Sequence, residues 1–127
     1  NEKNIGKTLL NLINNRLIES VHDISLGGII IAISKMCIKG NKGIIIGKFK
    51  SLINKFEYLF GEDQGRYIVE VNRDNLKKVT DILNKNSIHY DELGILTEKD
   101  IVIDGEPILA VEKLKENHNS WLKQYMV

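Results

Sequence analysis

Residues 21–28 read VHDISLGG, and this stretch decides how the 127-residue chain is organised. A short strand centred on residues 18–22 runs into the polar pair His22 and Asp23, then into Ser25 and the glycines Gly27 and Gly28. Beyond them apolar residues recur at helical spacing, so the stretch is a strand handing over to a helix. A helix N-terminus offers unpaired backbone N–H groups and a partial positive charge. Gly27 and Gly28 let a phosphate come close to the backbone, and the Ser25 hydroxyl can donate a hydrogen bond. Asp23 would repel a phosphate directly, so in a chemical role its carboxylate works through a divalent cation such as Mg²⁺. The same residues admit a plainer reading: Asp23 and Ser25 cap the helix, His22 ends the strand, and the glycines allow tight packing. Spacing alone leaves both readings open.

Working outward, Ile5, Leu9, Leu12, Ile13 and Leu17 form one face of an N-terminal helix over residues 4–18. After the motif, residues 29–39 carry a helical stripe of Ile29, Ile33, Met36 and Cys37, although the β-branched run from Ile29 to Ile31 also suits a strand. The reading is a helix closed by Gly40, followed by a buried strand over 44–46. A helix over 51–60 capped by Ser51, a strand over 66–71 and a helix over 74–84 with Asn72 or Asp74 as cap come next. Residues 89–96 and 100–103 read as strands forming a hairpin through 97–99, and Pro107 opens a last helix whose apolar side includes Leu109, Val111, Leu114, His118, Trp121 and Leu122. The expected architecture is α/β (α+β), one domain over 1–127, with a single mixed β-sheet packed with helices.

Composition narrows the function classes. The chain is 43% hydrophobic and 28% charged, with eighteen Lys and Arg against seventeen Asp and Glu and a formal charge of +1. That supplies no field for nucleic acid, and the group Lys42, Lys48, Lys50 and Lys55 lacks interleaved aromatics for base stacking. No apolar run reaches the roughly 20 residues a bilayer demands, and no basic-apolar leader opens the chain, so neither nucleic acid nor membrane is an expected partner and cytoplasm is the expected location. The single cysteine, Cys37, lies in an apolar stretch and reads as a buried small hydrophobe. The chain opens on Asn1 rather than methionine, which fits a piece of something longer.

Other constellations fail. His22, His89 and His118 have no metal-ligand spacing, and neither a GxSxG elbow nor a GxxxxGK[ST] phosphate loop is present. Glu62 and Arg66 in GEDQGR read as an ion pair bracing a loop, or alternatively Arg66 serves a phosphate or carboxylate. Trp121, Tyr125 and Met126 read as packing.

VHDISLGG resembles the HDxSxGG segment in the C-terminal half of phosphoribosylformylglycinamidine synthases. Residues 59–71, LFGEDQGRYIVEV, resemble that family's LFxExxxR loop and following strand, and residues 93–105, LGILTEKDIVIDG, resemble its next strands. The resemblance spans nearly the whole chain, with one departure: Leu26 stands where the family usually has Asp. It implies a C-terminal domain of the kind also found in aminoimidazole ribonucleotide synthetase. The parent enzyme would be an ATP-dependent ligase of purine biosynthesis that converts formylglycinamide ribonucleotide to its amidine with ammonia from a glutaminase domain or subunit. It further implies that the principal catalytic residues lie in N-terminal-type domains outside this chain, which alone is expected to be inactive. Within 1–127, Asp23 would match a Mg²⁺ ligand and Ser25 a nucleotide contact for ATP or ADP, while Gly27 and Gly28 would shape the nucleotide loop; no catalytic residue is assigned. The alternatives are a non-catalytic binding domain of the same fold and the equivalent domain of a related ATP-dependent enzyme.

Overall fold

In the computed structural model residues 2–47, 55–62, 65–103 and 105–125 are described. They form α1 (Glu2–Asn14), β1 (Ser20–Asp23), α2 (Gly28–Gly40), β2 (Gly43–Ile46), α3 (Lys55–Phe60), β3 (Tyr67–Glu70), α4 (Arg73–Lys85), β4 (Gly94–Thr97), β5 (Asp100–Ile103), β6 (Glu106–Ala110) and α5 (Val111–Tyr125). The α/β class read from the sequence is the observed one. Two compact units divide these elements: Asn1–Leu26 with Glu62–Asp91, and Gly27–Gly61 with Glu92–Val127. None of the described helices is long and apolar enough to cross a membrane.

In the first unit β1 and β3 pair antiparallel, with Val21 opposite Val69, His22 opposite Ile68 and Asp23 opposite Tyr67. α1 packs against α4. Leu12 and Val79 are the buried apolar anchors of the two helices, and the buried Thr8 hydroxyl is satisfied by donating to the Asn4 carbonyl at 2.9 Å. Asn72 caps α4 by accepting from the Asp74 amide at 3.3 Å, as its sequence position predicts, and such a cap contributes about 1 kcal/mol. Asn4 Nδ2 donates to the Asn86 carbonyl at 2.9 Å, tying α1 to the end of α4.

α1, α2 and α4 each close on a left-handed residue that is not glycine: Arg16, Asn41 and Ser87, with φ between 53° and 54°. At each, the following amide reaches back to a carbonyl five residues earlier: Leu17 to Leu12, Lys42 to Cys37 and Ile88 to Leu83. The left-handed residue's own amide bonds a carbonyl three residues earlier, which completes a Schellman closure. Two boundaries read from the sequence shift for this reason. α1 stops at Asn14 rather than running to residue 18, and Gly40 is the last helical residue of α2 while Asn41 takes the left-handed conformation.

The second unit holds a four-stranded sheet in the order β4-β2-β5-β6. β2 pairs antiparallel with β4 and parallel with β5. Ile44, Ile46, Ile101 and Ile103 are buried, and they share this core with Ile29, Ala32, Ile33 and Cys37 of α2, Leu59 of α3 and Val111 of α5. α2 packs against both α3 and α5. Burial pushes the Cys37 thiol up from 9.0 to about 11. Because the folded thiol holds its proton more tightly, its contribution to stability is complete below pH 9 and is lost as pH rises toward 11. Iodoacetamide at pH 8 is accordingly expected to leave Cys37 unmodified in the folded protein and to label it on denaturation.

Three expectations are corrected. Among the described residues the strands lie in two sheets rather than one, because β1 pairs with β3 while the remaining strands assemble on β2. β4 and β5 do not form a hairpin, since β2 lies between them and takes hydrogen bonds from both. Pro107 does not open the last helix. It sits in the edge strand β6, opposite Val102 and next to a register shift at Ile101/Val102, where a missing N–H is tolerated. The hairpin is β5–β6 instead, with Gly105 at φ +80°, and α5 begins at Val111, whose amide donates to the Lys99 carbonyl at 3.1 Å. The Ser51 cap lies outside the described residues, as do the Trp121 and Leu122 side chains and Met126; the helix expected over 51–60 is described from Lys55.

Candidate functional site

β1 delivers its last residues to the surface by simple alternation. His22 faces the half-buried side of the two-stranded sheet with Ser20, and Asp23 faces the open side. Pairing extends one bond past the strand, since the Ile24 amide donates to the Arg66 carbonyl at 2.9 Å, and Ile24 itself is buried. That anchor fixes Asp23 on one side and turns Ser25 and Leu26 outward, Leu26 with 80% of its surface exposed.

The Asp23 carboxylate is 71% exposed and its Oδ1 stands 3.9 Å from His22 Nδ1. The same Nδ1 lies 2.6 Å from the Asp23 carbonyl oxygen. A carbonyl can only accept, so Nδ1 carries the proton and donates it, which assigns the ring tautomer. His22 thereby braces the backbone of Asp23 while leaving the carboxylate oxygens facing water. On the same side as His22, Ser20 Oγ donates to Glu70 Oε2 at 2.9 Å, locking the β1–β3 register. Arg66 is half-buried, and Asp63 and Gln64 lie outside the described residues.

Gly27 and Gly28 belong to the second unit. Gly27 is the N-cap of α2 with φ 85° and ψ 0°, so the cap position itself carries no side chain. Gly28 has φ +70°, and a Cβ there would lie 2.7 Å from the Leu59 carbonyl oxygen and 2.8 Å from Phe60 Cα. The close approach for which this glycine is needed in the structure is therefore that of the α3 backbone. The motif by itself suggests a ligand in that place, because a glycine's freedom is legible in a sequence while the atom that fills the space is not.

Among the described residues no group of three or more His, Cys, Asp or Glu could enclose a metal ion. Asp23 itself offers one exposed carboxylate. That fits Mg²⁺, which keeps several waters and is commonly held by one or two carboxylates with phosphate oxygens, and does not fit a closed protein cage. An open depression of about 410 Å³ lined by Asn41, Lys42, Leu96, Thr97 and Glu98 lies in the second unit and includes none of the motif residues. His89 Nε2 lies 3.7 Å from Oδ2 of the exposed Asp91.

The chain is similar to the "Phosphoribosylformylglycinamidine synthase subunit PurL" of Pelagibacter ubique, with 55% identity over 126 residues, covering 99% of this chain and 17% of that protein. Its fold matches the solved "T. maritima PurL complexed with ATP" at a TM-score of 0.74 and 21% identity, covering 89% of this chain and 21% of that one. It also matches "Structure of PurLQS from Thermotoga maritima" at a TM-score of 0.75 and 22% identity, covering 90% of this chain and 21% of that one. The chain thus spans 17% of the length of the curated relative it matches. Residues 1–105 match the family described as "AIR synthase related protein, C-terminal domain", and the chain belongs to that family.

Proposed function

We propose that the chain is a C-terminal AIR-synthase-type domain of a phosphoribosylformylglycinamidine synthase, a cytoplasmic ATP-dependent ligase of purine biosynthesis. The observation that carries this reading is the 55% identity to a PurL subunit over nearly the whole chain. In the parent reaction, ATP phosphorylates the amide oxygen of formylglycinamide ribonucleotide. Ammonia then adds at that carbon, and phosphate leaves with the former amide oxygen to give the amidine. The ammonia comes from a glutaminase domain or subunit, and the chemistry takes place on the N-terminal-type domains of the same enzyme.

The role of the present chain is auxiliary. Asp23 holds Mg²⁺ through an exposed carboxylate whose backbone is braced by His22, and Ser25 donates its hydroxyl to a nucleotide phosphate. Leu26 offers no side-chain oxygen, so Asp23 is the one carboxylate that residues 21–28 would bring to the ion. Support comes from the outward placement of Asp23 and Ser25 on an anchored strand end and from a fold shared with the T. maritima PurL that was solved in complex with ATP.

The test is calorimetry on the complete polypeptide. Asp23→Asn is expected to weaken Mg-ADP binding at this site at least about tenfold, or about 1.4 kcal/mol, with metal-free ADP affected far less. Wild-type affinity for Mg-ADP would remove the metal assignment. Absence of phosphate release dependent on formylglycinamide ribonucleotide and ammonia in the complete wild-type protein would remove the enzyme reading.

A further inference from the structure

We infer that His22 is a positioning residue for the Asp23 carboxylate, acting by donation from its Nδ1–H to the Asp23 carbonyl. This role rests on the reading of Asp23 as a Mg²⁺ ligand and adds a residue that acts through it. Asp23 stands opposite Tyr67, and the Ile24 amide donates to the Arg66 carbonyl at 2.9 Å. That bond makes Asp23 and Tyr67 a non-hydrogen-bonded pair of the ladder, so the Asp23 carbonyl points away from β3. The His22 ring supplies the partner that the ladder does not, with Nδ1 lying 2.6 Å from that carbonyl oxygen.

The Asp23 carbonyl and the Ile24 amide belong to one peptide unit. It is held at both ends, by the His22 ring at the oxygen and by the Arg66 carbonyl at the nitrogen. Chain ends of secondary elements open locally at little cost in free energy, and the peptide plane beside Asp23 Cα sets the direction of its Cβ. Fixing that plane leaves the carboxylate only its own side-chain torsions to settle when it meets an ion. The ring is itself anchored. The His22 side chain is 29% exposed against 71% for Asp23, and it lies opposite the half-buried Ile68. On the same side of β1, Ser20 Oγ holds Glu70 Oε2. A residue that orients a metal ligand without coordinating the metal changes affinity for the ion and leaves metal-independent contacts alone.

Calorimetry on the complete polypeptide tests this with His22→Asn and His22→Gln beside Asp23→Asn. The Asn amide nitrogen is as many bonds from Cβ as Nδ1, and the Gln amide nitrogen as many as Nε2, so Asn keeps the donor in place and Gln displaces it. His22→Gln is expected to weaken Mg-ADP binding at this site about fivefold, the net worth of one hydrogen bond, with metal-free ADP affinity within about twofold of wild type. His22→Asn is expected to keep the wild-type affinity for Mg-ADP. Wild-type affinity in His22→Gln, equal weakness of the Asn and Gln variants, or a Gln variant that loses metal-free ADP in proportion or does not fold overturns the positioning role. Asp23→Asn separates the two readings. If it weakens Mg-ADP binding while His22→Gln does not, only His22 loses its role; if it has no effect, the metal assignment falls and the role of His22 with it.

Discussion

Gly43→Ala is expected to cost about 3 kcal/mol and to lower the thermal midpoint by roughly 10 °C, read by calorimetry or urea melting of the protein. The cause is the route of the chain. β4 and β5 lie on opposite sides of β2, so residues 98 and 99 must pass over the start of β2. They do so at Gly43, where a Cβ would collide with the backbone N and O of Asp100 and lie 2.7 Å from Thr97 Oγ1. A side chain can rotate out of the way, but a two-residue arch held by hydrogen bonds at both ends cannot. The energy is therefore placed at the upper end of overpacking costs and consumes a large part of a total stability of about 5–15 kcal/mol. Gly47→Ala is the control: a Cβ there meets nothing within 4 Å among the described residues, and a change of less than about 1 kcal/mol is expected. Equal midpoints for the two variants would show that the arch does not cross β2 at this residue.

Gly28→Ala is expected to cost a similar amount, roughly 3 kcal/mol, by a different combination of causes. At φ +70° an L side chain is strained, which costs about 1–2 kcal/mol. Its Cβ would also press on Leu59 and Phe60 backbone atoms at 2.7 to 2.8 Å, adding about 1–3 kcal/mol. A fall in stability with nucleotide affinity preserved supports the packing role. Unchanged stability with weakened nucleotide binding would return Gly28 to the ligand and remove the account based on α3.

The site was legible to an unequal degree. The outward placement of Asp23 and Ser25 was readable because a strand followed by a polar pair and two glycines carries its geometry in local periodicity, and both residues are exposed in the structure. The bracing of Asp23 by the His22 ring was not, since nothing in a spacing says which nitrogen meets which carbonyl. The plainer reading of the glycines as packing elements is the one that the contact between Gly28 and α3 supports. In the sequence, Asp104-Gly105 between two β-rich runs is a hairpin signal. Pro107 competes with it as a helix opener, although proline is equally at home on an edge strand.

Taken alone, the sequence determined the kinds and order of most elements, the α/β class, the buried state of Cys37 and the family resemblance. All of these follow from periodicity, capping chemistry and motif, which are local properties. Only the tertiary structure decided that the strands divide between two sheets, that β2 separates β4 from β5, and that Ile45 and Ile95 face outward beside Val102. The physical reason is that alternation tells each residue which side of its own strand it occupies. Which strand becomes its neighbour is set by hydrogen bonds between residues about 50 positions apart, and those leave no periodic trace in the chain.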